Sequence, residues 1–123
     1  GSHPHVVQPM EVRQDKHHPS RHLIVYSLGN FISNMSRENT DGGAMVKLEL
    51  KKLWGITRME NCSYSLIWTS RPILGKKTSY EVYPASFINQ SVQNEEFTPF
   101  LRFLNNTREL YQKHNIGIKE YFF

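Results

Sequence analysis

Cysteine is almost missing from this chain of 123 residues: Cys62 stands alone, which excludes an internal disulfide framework and a cysteine-based zinc site. Long apolar runs are missing too. The longest span only a few residues, as at 23–26, whereas a membrane helix needs about 20 and a signal peptide about 7 to 15 behind a basic start. The sequence therefore predicts neither a spanning helix nor a leader. Aspartate is scarce, with only Asp15 and Asp41, and there is no internal repeat, no low-complexity tract and no initiator methionine. The residues after Gly1 read as native sequence cut from a longer protein, so a fragment is expected. The length admits one domain or a piece of one.

Charge of one sign is not concentrated either. The balance is 15 basic against 11 acidic residues, net +4 with a pI near 9.3. However, Lys47, Lys51 and Lys52, then Lys76 and Lys77, alternate with Glu49, Glu60 and Glu81. A nucleic-acid surface gathers its cations on one face, so the pattern predicts solvated strand faces and no nucleic-acid partner. Leu, Ile, Val and Phe make up about a quarter of the chain, above the roughly 20% below which chains tend to stay disordered, so a packed core is expected.

Period-2 alternation of Val6, Gln8, Met10 and Val12 predicts a first strand, and residues 13–21 a polar hairpin tip. Residues 22–28 form a nearly continuous apolar run, expected to be a strand buried on both faces and stopped by Gly29-Asn30. Residues 33–43 read as a flexible loop carrying Gly42-Gly43. Val46, Leu48 and Leu50 alternate with Lys47, Glu49 and Lys51, predicting a half-buried strand, and residues 56–71 predict its antiparallel partner beyond Trp54-Gly55. A turn over 72–77 and a short strand over 78–83 follow. Thr98-Pro99 offers an N-cap, and Phe100, Phe103, Leu104, Thr107, Leu110 and Tyr111 form an apolar stripe of helical period to about His114. That stripe should pack on the face holding Leu48, Leu50, Leu66 and Trp68.

Two constellations can carry chemistry. In His3-Pro4-His5, proline pushes His3 toward an extended conformation, in which residues i and i+2 share a face and both imidazoles can enter one pocket as metal ligands or an anion clamp. In Tyr26-Ser27-Leu28-Gly29-Asn30-Phe31, a strand runs into a turn that presents an amide able both to donate and to accept. His17, His18 and His22 form a second cluster at an expected loop tip. Cys62 reads as an inert strand thiol.

Together, the run Gly1-Ser2-His3-Pro4-His5-Val6-Val7-Gln8-Pro9-Met10-Glu11-Val12 and the later Tyr26-Ser27-Leu28-Gly29-Asn30-Phe31 resemble the C-terminal signature of the capsule synthesis CapA (poly-γ-glutamate synthesis) family. That family is similar in fold to the calcineurin-like metallophosphatases. The likeness is specific over residues 1–33, loose beyond 43 and absent from about 84. It implies an α+β partial domain: mainly antiparallel strands from a metallophosphatase-like sandwich, residues 1–88 closing a CapA-like domain and 89–123 adding a C-terminal helix and tail. It also implies divalent metal ions in the intact parent, with His3 on one and His5 on the other, and Ser27 and Asn30 lining the pocket. The carboxylates, asparagine–histidine pair and further histidine of a two-metal phosphoesterase-like cleft would come from upstream. The parent would act in synthesis, export or anchoring of an anionic capsule polymer or its precursors. It would lie at the outer face of the bacterial cytoplasmic membrane, alongside other capsule-synthesis membrane proteins. The alternative is a non-catalytic polyanion-binding or assembly module, and a weaker one an unrelated small β protein.

Overall fold

The structure, a computed structural model, describes residues 1, 3–17, 20–71, 73–74, 77–87 and 94–122. His18 and Pro19 of the second histidine cluster, part of the turn expected over 72–77, the polar connection at 88–93 and Phe123 lie outside the described residues. The fold is α+β, mostly antiparallel strands with one C-terminal helix. Strand β1 (Val7–Gln14) pairs antiparallel with β2 (Arg21–Leu28), from Val7 opposite Leu28 to Gln14 opposite Arg21. Strands β3 (Gly42–Leu53) and β4 (Ile56–Ser70) form a long hairpin whose turn, Trp54-Gly55, has φ values of 55° and 80°. Those signs mark a two-residue turn matched to strand twist. Beyond β4, β5 (Ile73–Leu74) and β6 (Lys77–Thr78) form a minimal hairpin, and β7 (Glu81–Pro84) pairs with the end of β4 before a 3₁₀ turn, Ala85–Phe87. Helix α1 (Asn94–His114) follows, and β8 (Lys119–Glu120) runs parallel to β4 at Ser63 and Tyr64.

The backbone pairings run round a ring. At the end of β2, Gly29 bridges to Gly43 of β3. At the other side, the residue after α1 that precedes β8, Ile116, exchanges hydrogen bonds with β1: Val12 N–H donates to Ile116 O (2.8 Å) and Ile116 N–H to Met10 O (3.0 Å). The last segment thus ties β1 to β4, while Gly29 ties β2 to β3. Helix α1 lies against β1 and β4 and fills the ring with Phe100, Phe103, Leu104 and Tyr111. Val7, Met10, Leu66, Trp68 and Ile118 meet them there. Trp68 and Phe100 pack with their rings tilted, centroids 5.4 Å apart, and Tyr64 meets Tyr111 edge to face at 4.8 Å.

The helical stripe is buried as its periodicity requires, but not where expected. Leu66 and Trp68 receive it, whereas Leu48 and Leu50 are 48% and 61% exposed. The outer halves of β3 and β4 run past the helix and β1 as a two-stranded, mostly exposed ribbon, with only the start of β2 beside one face, where Arg21 to Leu23 lie near Leu48, Leu50 and the half-buried Met59. Alternation marked a strand correctly but could not say what lay opposite its apolar side. Strand β2 is likewise not buried on both faces, since Tyr26 and Leu28 stand exposed. The helix begins at Asn94 rather than at Thr98, with Pro99 inside it. The carboxylate of Glu96 in its first turn accepts from the Arg71 N–H (2.7 Å) and the Ser70 hydroxyl, which holds the extra turn against the end of β4.

Gly42 and Gly43 open β3, where a flexible loop was expected, and both are buried. A Cβ on Gly42 would lie 2.5 Å from the Phe103 ring, and one on Gly43 would lie 2.5 Å from Asn30 O. Glycine is needed here for close approach of two neighbours, not for turning.

Candidate functional site

The first two histidines sit just before β1. His3 and Pro4 form a turn, and His5 takes φ 58°, so the extended arrangement expected for His3-Pro4-His5 is not adopted. Proline restrains its predecessor but is also a good turn residue, and here the turn wins. Both histidines are exposed. His5 is held in the left-handed region, uncommon for residues with a Cβ, while its ring Nδ1 lies 3.0 Å from Asn30 Oδ1.

Asn30 is positioned by the closure of β2 on β3. Gly29 turns the chain at φ 71°, its N–H donating to the Ser27 hydroxyl (3.2 Å), and Asn30 N–H donates to Gly42 O (3.1 Å). Ser27 is completely buried beneath this turn. The Asn30 amide orientation follows from its other bond, since Nδ2 donates to Thr40 O at 2.8 Å, a carbonyl that can only accept. Oδ1 therefore faces His5, and Nδ1 of the ring must carry the proton that bridges them. In the neutral ring, Nε2 is then the lone-pair nitrogen of His5. This is the tautomer of a metal-ligating histidine oriented by a neighbouring carbonyl, so His5 fits the ligand role with Asn30 behind it. Two neutral imidazoles do not fill a dinuclear centre, and among the described residues no three His, Cys, Asp or Glu side chains gather to do so.

The segment after Asn30 is pinned rather than loose. The Thr69 hydroxyl donates to Phe31 O (2.9 Å), and the Arg71 guanidinium donates to Ser33 O (2.9 Å) and to Met35 O. Asn106 on α1 donates to Asn39 Oδ1 (3.0 Å), and Thr69 N–H donates to Asp41 O (2.9 Å). Asp41 is almost fully buried, with one carboxylate oxygen unpartnered. Burial pushes its carboxyl above the ordinary range, against the pull of the Trp68 indole and of the Arg102 and Arg71 charges. Asp41 and Arg71 had no motif to mark them. The one available signal was a carboxylate directly before a glycine pair. The chain's other aspartate begins an Asp-x-His spacing, Asp15-Lys16-His17, at the β1–β2 tip. There the His17 N–H donates to the Asp15 carboxylate (2.9 Å) and His22 lies 4.0 Å away. It caps the loop, far along both strands from Asn30.

With His5 and Asn30 joined, the comparison with known families becomes informative. Residues 1–35 match the family model described as bacterial capsule synthesis protein PGA_cap. The matched stretch holds the His3-Pro4-His5 turn, the β1–β2 hairpin and the Gly29-Asn30 closure, and it supports a capsule synthesis family for that part of the chain. Such a family suggests an envelope-associated protein, and no described helix is long and apolar enough to cross a membrane. No curated protein and no solved structure matches the chain.

Proposed function

We propose that the chain is the C-terminal portion of a CapA-like protein with a metallophosphatase-like fold, acting in synthesis, export or anchoring of an anionic capsule polymer of poly-γ-glutamate type. In this reading His3 and His5 each ligate a divalent metal ion in a phosphoesterase-like cleft completed by upstream residues. Asn30 orients His5, and buried Ser27 braces the turn that carries Asn30. The bond between His5 and Asn30 carries the reading, because it joins the two segments of the family signature and leaves Nε2 with its lone pair. The metal would supply Lewis acidity toward a phosphoryl oxygen. The chain's own contribution is to hold one ring in one tautomer.

Titrating the protein with zinc while following the histidine ring nitrogens by NMR tests this. His3 and His5 should shift first, His5 through Nε2, and Asn30→Ala should weaken binding by about 10- to 100-fold, the usual consequence of losing an outer partner. Zinc shifts confined to His17 and His22, or unchanged affinity in Asn30→Ala, would defeat the assignment. The second reading, a non-catalytic polyanion-binding module, draws on the exposed Lys47, Lys51, Lys52 and Arg58. Poly-γ-glutamate binding that survives chelation and His5→Ala but falls with salt would favour it.

A further inference from the structure

The ribbon made by the outer halves of β3 and β4 carries the most exposed large apolar side chain described in the molecule. Trp54 at its tip is 97% exposed, and Leu50, Leu53 and Ile56 around it are 61%, 55% and 46% exposed. From Leu50 to Met59 the sequence holds Lys51, Lys52 and Arg58 and no carboxylate. Lys51, Leu53, Trp54, Ile56, Arg58 and Glu60 line one depression at the tip, two cations against one carboxylate. Trp54 also occupies a left-handed turn position at φ 55°. Asparagine or glycine suits that position, and a bulky side chain there is an outlier. The turn therefore accepts an awkward residue that gains no burial within the described chain. Strain kept at a site with no packing benefit points to a use outside the fold.

We propose that this tip docks onto an anionic bilayer surface, with Leu53, Trp54 and Ile56 entering the boundary between headgroups and acyl chains and Lys51, Lys52 and Arg58 meeting lipid phosphates. The two parts of the tip need different things, and this surface supplies both. Tryptophan favours the membrane interface, because its ring is apolar with one polar edge. Lysine and arginine lay their aliphatic stems along apolar neighbours while their charges reach the phosphates. A soluble polyanion would satisfy the cations and leave the apolar tip in water. A second copy meeting tip to tip would set three cations against three. Strand addition along the ribbon is discouraged by the charged side chains on it, a common protection of exposed edges. The anchor is peripheral, and it stands independently of the metal reading.

Co-sedimentation of the full chain with vesicles tests it, using phosphatidylcholine containing about 30% phosphatidylglycerol against phosphatidylcholine alone. Partitioning should be at least about 10-fold stronger on the anionic vesicles. Tryptophan emission should shift to the blue and be quenched by brominated acyl chains; Trp68 is 2% exposed, so the change reports Trp54. Trp54→Asn places a residue the turn prefers, so the fold is kept, yet partitioning should fall by about 10-fold or more. Lys51→Glu with Lys52→Glu should abolish the preference for anionic lipid. Equal partitioning of Trp54→Asn and parent, an unshifted emission, or binding indifferent to phosphatidylglycerol would overturn the proposal. A dimer in sedimentation that Trp54→Asn dissociates would overturn it in favour of a second copy.

Discussion

Replacing Gly43 with alanine places one methyl group where β2 closes on β3. An ideal Cβ there would lie 2.5 Å from Asn30 O and 2.7 Å from Leu28 O. Carbon–oxygen contacts in proteins settle at about 3.3–3.6 Å, so the backbones must separate by most of an ångström. Both obstacles are main-chain atoms and cannot swing aside. Overpacking of this kind costs about 1–3 kcal/mol, and weakening the Asn30 N–H to Gly42 O bond adds about 1 kcal/mol. Against this, alanine restricts the unfolded chain and returns about 0.4–1 kcal/mol. Gly43→Ala should therefore lose about 1–3 kcal/mol in urea unfolding followed by Trp68 fluorescence, and several degrees in Tm. Gly55→Ala provides the complementary case. Nothing lies within 4 Å of its Cβ, but φ is +80°, so its cost of about 1–2 kcal/mol is conformational alone. The two variants also differ at the site: Gly43→Ala displaces Asn30 and should change the His5 ring-nitrogen shifts, while Gly55→Ala should leave them untouched. A Gly43→Ala protein as stable as the parent, with unchanged His5 signals, would refute the claim that Gly43 sets the position of Asn30.

Phe103→Ala empties a fully buried ring site between α1 and Gly42 and should cost about 3–5 kcal/mol, and a melt within a degree or two of the parent would show that the helix stripe is not core. Asp41 holds its proton more tightly when folded than when unfolded, so ionising it costs stability that is restored as pH falls through its raised pKa. Asp41→Asn should accordingly gain on the parent as pH rises from about 4 to 7. A parent that gains on the variant over that range would contradict the sign.

Where local chemistry decides, the sequence was informative. The stripe from Phe100 to Tyr111, the alternation along β3, the Trp54-Gly55 reversal and the Gly29-Asn30 stop all depend on a residue and its near neighbours, and each element is present. What failed was knowledge of what stands opposite. Leu48 and Leu50 alternate as well as any core strand, yet β3 at that point has outrun the helix. Gly42-Gly43 read as slack because sequence cannot reveal the Phe103 ring and the Asn30 carbonyl that need the room. The site was legible in pieces. His5 and Asn30 were recognisable, but their bond spans 25 positions and depends on a turn that His3-Pro4 makes in place of the expected extension. Asp41 and Arg71 were illegible, because Asp41 matters through its burial and Arg71 through bonds to a loop some 36 to 38 positions away.

The tie between β1 and the segment after α1 has a consequence for how the molecule is made. Met10 N–H donates to Asn115 Oδ1 across 105 positions, and Ser65 donates to Tyr121 O across 56. A ribosome delivers the β1–β2 hairpin well before residues 115–121, so these strands wait with an open edge until α1 and the segment after it have been made. Distant pairings are slow to form because the closure entropy falls due before any contact repays it. Assembly is therefore timed by the segment after α1, and during that interval Met10 and Val12 stand where any passing strand could take the place of Ile116.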